Sequence, residues 1–494
     1  MGTRTTGRLG MAVMGCLVAG LAMADGPRSG SPLVMGMNAH GVLGTLKVDG
    51  PIDRRNEFFM NLGTNGRSCA TCHIAEQAMS FTPEHAQQLF RQTRGADPLF
   101  ANVDGANCDD VARQDPAGHS LILKAGLIRV ANAVPANAEY TITAVHDPYG
   151  CALRIDPKTH LLTASVYRRP LPSANLGFLS AVMFDGRETV VPLTDASTLE
   201  ANLRTNLRHQ AIDATLGHAQ GAAAPSDAQL EAIVSFELGL YSSQMWDWKA
   251  GSLSDGGAGG GPLALSDQLY YPGINDSLGG EPNGIPFDAA SMTLYRPWEQ
   301  QRSRQLDRRT AAARADIAAG EKLFNSLPMT ISNVRGLNDN EGVGRPTSFV
   351  GNCASCHDAP NVGHHSMPLP LDIGTGHSAD PGLETDAVIA DALSALSMPD
   401  LPVFLISGCP NPFNAGQAES FYTTDPGKAL ISGKCADFNR IKGPILRGLA
   451  GRAPYFHNGA AATLEELVEF YDRRFKVGMS AGQKRQLVAF LNTL

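Results

Sequence analysis

Positive charge is scarce in this sequence: Lys and Arg number 40 against 48 Asp and Glu, a formal charge of −8 over 494 residues. That balance argues against nucleic acid and an anionic membrane surface as partners, and it suits a basic redox protein. Long apolar runs are missing too. Beyond residue 24 no transmembrane segment is expected, because no stretch is long and apolar enough to cross a bilayer. Two Cys-x-x-Cys pairs are present, but neither has the second ligand pair at matched spacing that tetrahedral zinc calls for.

Directly after each pair stands a histidine. The motifs are Cys69-Ala-Thr-Cys72-His73 and Cys353-Ala-Ser-Cys356-His357. Two thiols at this spacing add across the vinyl groups of a haem, and the adjacent imidazole then binds the iron from one face. The chain is therefore expected to carry two covalently bound haem c groups, with His73 and His357 as proximal ligands. The motifs lie far apart in a chain long enough for two or more domains, so one haem per domain is the economical reading.

Residues 1–24 carry Arg4 and Arg8 ahead of an apolar run over 11–21 and end on Ala22-Met23-Ala24, the pattern of a signal peptide cleaved near Ala24. A periplasmic or secreted protein is the expectation. Val13-Met14-Gly15-Cys16 offers a rival reading as a lipoprotein cleavage site, although the apolar run before Cys16 is short. Of nine cysteines, four belong to the haem motifs and Cys16 to the leader. An oxidising compartment pairs the other four, most simply Cys108 with Cys151 and Cys409 with Cys435.

Helix, loop and haem motif recur in that order. A short amphipathic helix is expected over 53–60, with Gly63 and Gly66 as breakers, and a longer helix over 304–324 precedes the second motif. Ser226 with Gln229, and Ser480 with Gln483, form capping boxes ahead of closing helices. Thr82 and Pro83 read as the cap and first residue of another helix, with His85 in its first turn. The Gly- and Ser-rich stretch 249–261 has the composition of a flexible connection. The expected division is a leader over 1–24, an N-terminal c-type haem domain over 25–248, a linker and connecting segment over 249–300, and a C-terminal c-type haem domain over 301–494. The expected fold class is mainly α: two cytochrome c-like haem domains with long irregular insertions at 93–169, holding a strand over 141–145, and at 364–439.

Further blocks carry a resemblance. Leu171-Pro-Ser-Ala-Asn-Leu-Gly177 then Met183-Phe-Asp-Gly-Arg187 stand in the first half, and Lys442-Gly-Pro-Ile-Leu-Arg447, Ala453-Pro-Tyr-Phe-His-Asn-Gly459 and Thr463-Leu-Glu-Glu-Leu467 in the second. In content and order the chain resembles the bacterial di-haem cytochrome c peroxidase and MauG superfamily. The resemblance implies reduction of hydrogen peroxide at the haem on Cys69 and Cys72. Electrons would arrive through the haem on Cys353 and Cys356 from a small redox protein, a cytochrome c or a cupredoxin. It also implies a sixth ligand for the second iron from the helix after the Pro-Tyr-Phe-His block. Fourteen residues beyond His457, where the peroxidases carry Met, stands Tyr471, as in MauG enzymes. A phenolate there stabilises oxidised iron. His457 and Met479 are the alternative ligands, and Tyr471 equally suits packing on one helical face with Leu464, Leu467 and Val468. His457 equally suits a haem propionate or the domain interface.

Two family residues are lacking. The Trp placed between the haems is Phe184 here, which is much harder to oxidise, and the catalytic Glu expected after a Gln-Ala pair has no clear match. If Gln210-Ala211 is that pair, the region offers His218 and Gln220. Peroxide cleavage needs a group that takes a proton from the near oxygen and returns it to the leaving one, and a dipole or cation for the developing charge. His218 suits the first role and Arg187 or Gln210 the second, while Asp185 and Arg187 equally suit a salt bridge that ties their loop. His85 and Met79 are candidates to cap the first iron. The family's calcium, held partly by carbonyls of Arg452 and Pro454, finds no Asn ligand here and is unsupported by side chains. Oxidation of a small organic or protein substrate is the alternative activity, and a non-catalytic electron carrier the alternative class.

Overall fold

The computed structural model describes residues 31–494 apart from 158, 301–305, 345, 381, 384–385, 412 and 414–417. The leader, with Cys16 and Ala24, lies outside the described residues, as does the start of the helix expected from residue 304. Helices form where the sequence supplies a cap. Ser226 and Gln229 make their reciprocal box ahead of Asp227–Leu238, and Ser480 and Gln483 theirs ahead of Ala481–Leu491. Thr82 accepts from the His85 N–H, and Pro83 opens the helix Pro83–Thr93. The helix before the second motif is Arg308–Ser326, started by the Asp307 carboxylate, which accepts from the N–H groups of Arg309 and Thr310. Over 53–60 only the single turn Glu57–Phe59 forms, because Phe58 leaves the surface for the core. A 19-residue helix, Leu199–Gly217, forms in a stretch whose sequence reads only as polar and Ala-rich.

The two haem motifs sit on matching aromatic supports. Phe58 packs on Phe236 and on the His73 ring, with centroids 5.0 and 6.3 Å apart. Phe324 packs likewise on Phe490 and His357, at 5.7 and 6.0 Å. The helices Arg308–Ser326 and Ala481–Leu491 close up at Gly320, where a Cβ would fall 2.0 Å from the Gln486 carbonyl oxygen. Glycine is required there.

The fold is not clearly mainly α: 32% of it is helical and 17% is strand, in several small sheets. One antiparallel sheet runs Leu33–Met37, Gly41–Lys47, Leu240–Asp247, Gly251–Ser252. Its last strand comes from the Gly-rich stretch, which is therefore no loose tether; Ala250 and Leu253 are fully buried. The stretch follows tertiary packing rather than composition.

The two insertions are not irregular decorations. Thr141–His146 pairs with Val403–Pro410, which pairs with Ala418–Thr423, so both insertions share one sheet. Ile128–Ala133, Leu162–Arg168 and Leu153–Ile155 form a second sheet. Tyr140, Val166, Phe404, Ile406 and Phe438 are among the residues that fill the core of this module. Cys108–Cys151 and Cys409–Cys435 are both disulfides, with Cα atoms 6.1 and 5.5 Å apart, the local pairing expected. At the base of the module Arg168 donates to both oxygens of Asp425, at 2.6 and 2.9 Å, and to Asp185. All three are buried.

Candidate haem centres

Each Cys-x-x-Cys pair lies on a tight turn, Cys69–Thr71 or Cys353–Ser355, pinned from within the motif. The Thr71 hydroxyl accepts from the Ser68 N–H at 3.1 Å, and the Ser355 hydroxyl from the Asn352 N–H at 3.0 Å. All four thiols are free. Burial pushes Cys72, Cys353 and Cys356 up to about 12, and Cys69 higher still, so they stay protonated. The histidines are set the opposite way. Nδ1 of His73 donates to the Met79 carbonyl at 2.9 Å and Nδ1 of His357 to the Gly363 carbonyl at 2.7 Å, which leaves each Nε2 lone pair for iron. Burial lowers both imidazoles, His357 to about 4, so each is neutral as a ligand must be. Met79 thus contributes its carbonyl, and its side chain is buried in the same core cluster as Phe58.

Cys69, Cys72 and His73 line one cleft and Cys353, Cys356 and His357 another. The empty space in them, open solvent included, is about 1640 and 1800 Å³. Phe184, with residues 169–172, Lys442 and Pro444, lines both clefts and forms a shared wall. Lys442 and Arg447 bring buried cations to this region, and the half-buried Arg452 a third, with no ion-pair partner among the described residues. Nη1 of Arg447 and Nε of Arg452 lack any hydrogen bond. Burial lowers Lys442 to about 8 and the two arginines to about 10. Buried cations without anions are costly, and haem propionates are anions of the kind that would relieve them. The residues present therefore fit haem.

Calcium does not fit in the same way. Arg169 Nη2 already donates to the Arg452 carbonyl at 3.3 Å and to that of Phe81 at 2.7 Å, while Nη1 serves Gly126 at 2.8 Å and Ala125 at 3.3 Å. A guanidinium fills the carbonyl cage.

In the first cleft stand Gln210, His218 and Arg187, together with His73. Gln210 lies on the helix Leu199–Gly217 and His218 caps its end. Eight residues apart, their backbones are separated by about 12 Å along the axis, and both side chains line the cleft. Nδ1 of His218 is hydrogen-bonded to Asp104, whose other oxygen is bound by Arg67. Arg187 donates to both Asp185 oxygens, at 3.1 and 3.3 Å, and lies 3.6 Å from Glu188, so the loop salt bridge forms and the arginine still borders the cleft. Glu237 lines the same cleft with Oε2 unbonded, its carboxyl raised to about 8 by burial. His85 does not line the cleft; it stays in the first turn of its helix.

In the second cleft His457, Tyr471 and Met479 all face the space that His357 borders, with Leu464, Leu467 and Val468 beside them. Nε2 of His457 has no hydrogen bond and lies 3.5 Å from Asp425. Burial holds this ring at about 4. The Tyr471 ring stacks on Phe475 at 6.1 Å, and burial raises its phenol far above the usual value. Asp104, Arg67 and Glu237 are the cleft residues that sequence reasoning misses. Arg67, two residues before Cys69, offers a proximity signal; Asp104 sits in an insertion and offers none.

No family model matches the chain. It is 32% identical over 151 residues to Cytochrome-c peroxidase IdrP2 of Denitromonas iodatirespirans, covering 29% of this chain and 36% of that protein. It is 31% identical over 153 residues to Cytochrome-c peroxidase IdrP2 of Pseudomonas sp. (strain SCT), covering 29% and 35%. It is 32% identical over 131 residues to Cytochrome c551 peroxidase of Nitrosomonas europaea, covering 23% and 39%. The chain thus spans little more than a third of the length of the curated relatives it matches.

Proposed function

For a chain of the bacterial cytochrome c peroxidase superfamily, we propose an exported oxidoreductase with two c-type haem domains, over 25–248 and 301–494, that reduces hydrogen peroxide. Peroxide reacts in the first cleft, and a small redox protein delivers electrons through the second. The reading is carried by two clefts that share a wall, each with a free thiol pair and a neutral imidazole held at Nδ1. Haem, when bound, supplies the iron that exchanges electrons and, where a face is open, takes peroxide. The chain's own residues do the rest. His73 and His357 present Nε2, and Lys442, Arg447 and Arg452 hold propionates. His218 takes a proton from peroxide and returns it, while Gln210 offers a dipole and Arg187 a cation already half balanced by Asp185. Tyr471 would offer its phenolic oxygen to the second iron.

Tyr471 and Phe184 also favour a second reading, MauG-like oxidation of an organic or protein substrate, because a phenolate holds iron oxidised. An EPR spectrum of the holoprotein, as isolated and partly reduced, followed by stoichiometric peroxide, tests the proposal. A high-spin ferric signal that peroxide abolishes is expected. Two low-spin signals indifferent to peroxide would leave a non-catalytic di-haem electron carrier.

A further inference from the structure

Resting on that reading of the first cleft, we propose that Asp104 and Arg67 are positioning residues that turn His218 into the acid–base group for peroxide. They answer the absence of the family's carboxylate with a histidine–aspartate pair. Asp104 is buried, and its partner Arg67 is buried with it. Arg67 is fixed in turn, Nε donating to the Pro98 carbonyl at 2.7 Å and Nη2 to that of Leu99 at 2.8 Å. The backbone of Asp104 is held as well, its carbonyl accepting from the Arg129 N–H at 2.8 Å. The carboxylate can therefore neither swing nor easily take up a proton: burial raises its pKa, but Arg67 and then His218 outweigh burial and bring it below the ordinary value.

His218 is pinned from both sides. Its N–H bonds to the Ala214 carbonyl at 2.9 Å, and its own carbonyl accepts from Asn65 Nδ2 at 2.8 Å and Arg67 Nη1 at 3.3 Å. An ionised carboxylate only accepts, so Nδ1 carries a proton, and whenever the ring is neutral it is Nε2 that holds the lone pair. Nε2 makes no hydrogen bond among the described residues, and the ring lines the cleft that holds Cys69, Cys72 and His73. The pair thus selects one tautomer and points the basic nitrogen away from its anchor. In turnover, Nε2 accepts a proton from one oxygen of hydrogen peroxide and delivers it to the other as the O–O bond breaks. The overall change takes two electrons from the redox protein and two protons, and yields two waters.

The test uses the holoprotein and the variants Asp104→Asn, Asp104→Glu and His218→Gln. An asparagine amide donates where the carboxylate accepted, which moves the ring proton to Nε2 and removes the base. Single-turnover mixing with peroxide should then slow by at least about tenfold in Asp104→Asn and about a hundredfold or more in His218→Gln, with Asp104→Glu recovering most of the rate. A second readout does not depend on turnover: the C–O stretch of the reduced carbon monoxide complex should shift in Asp104→Asn and return in Asp104→Glu. Two results would overturn the proposal. One is an Asp104→Asn protein with wild-type rate and stretch; the other is a His218→Gln protein whose first haem changes from low to high spin, which would make His218 an iron ligand. If Asp104→Asn does not accumulate, Arg67→Lys is read in both assays, with a smaller loss expected and wild-type behaviour counting against the proposal. A wild-type holoprotein inert to peroxide is a separate failure, of the peroxidase reading, and the carbon monoxide stretch still decides the role of Asp104.

Discussion

Tyr471 faces the second cleft with a hydroxyl that has no hydrogen bond among the described residues. Coordination to iron would give that oxygen a partner. Tyr471→Phe is expected to change the EPR spectrum of the second haem and raise its reduction potential in a potentiometric titration. An unchanged spectrum would leave Tyr471 as packing. At position 184 the change runs the other way: Phe184→Trp restores an oxidisable ring in the shared wall, and electron transfer between the haems, followed by stopped flow after peroxide, should become severalfold faster. Equal rates would mean that the path avoids this side chain. Tyr471, His457, His218, Gln210 and Arg187 are legible in the sequence because motif order fixes their neighbourhood. Asp104 is not, since only folding brings it to His218.

Among the elements, local signals hold and distant ones do not. The boxes at Ser226 and Ser480 and the cap at Thr82 lie within four residues of their partners, and each forms. The strand expected over 141–145 is present as Thr141–His146, but its partner Val403–Pro410 belongs to the other insertion, which no local pattern announces. Likewise the turn at Glu57–Phe59 and the packing of Leu253 depend on what lies across the core. The joined module makes its crosslinks structural. Replacing Cys409 and Cys435, 26 residues apart, with serine is expected to cost about 3–4 kcal/mol, measured by thermal or denaturant unfolding. A loss below about 1 kcal/mol would show that the sheet holds without the bond.

At the scale of the whole molecule, Arg168, Asp185 and Asp425 tie the module to the loop that bears Phe184. Asp425→Ala leaves Arg168 half paired in the interior and should destabilise by about 3–5 kcal/mol in denaturant unfolding. Burial pushes Asp185 up, but Arg168 and Arg187 outweigh it and bring its carboxyl to about 2, against an ordinary 3.8. A lowered acid contributes stability above its unfolded pKa and loses it as pH falls through the folded one. About 2 kcal/mol should therefore vanish between pH 4 and pH 2, and Asp185→Asn should remove that slope from an acid titration of stability. The Arg169 cage carries a further expectation. Chelation with EGTA should leave haem spectra and unfolding midpoint unchanged; a calcium-dependent shift in either would show that the cage is not what joins Phe81, Gly126 and Arg452.

The cysteines of this chain divide by address. Four pair as buried disulfides of the β-module, at positions 108, 151, 409 and 435, and four belong to the Cys-x-x-Cys-His motifs that line the clefts. Maturation must therefore sort eight thiols into two fates. The motif marks four of them, and where each one lies as the chain folds adds a second distinction. Burial offers the sorting rule: once the module has closed over its crosslinks, a reductant that keeps positions 69, 72, 353 and 356 ready for haem has no access to them. Closure of the module before haem attachment is the order of assembly that this partition favours.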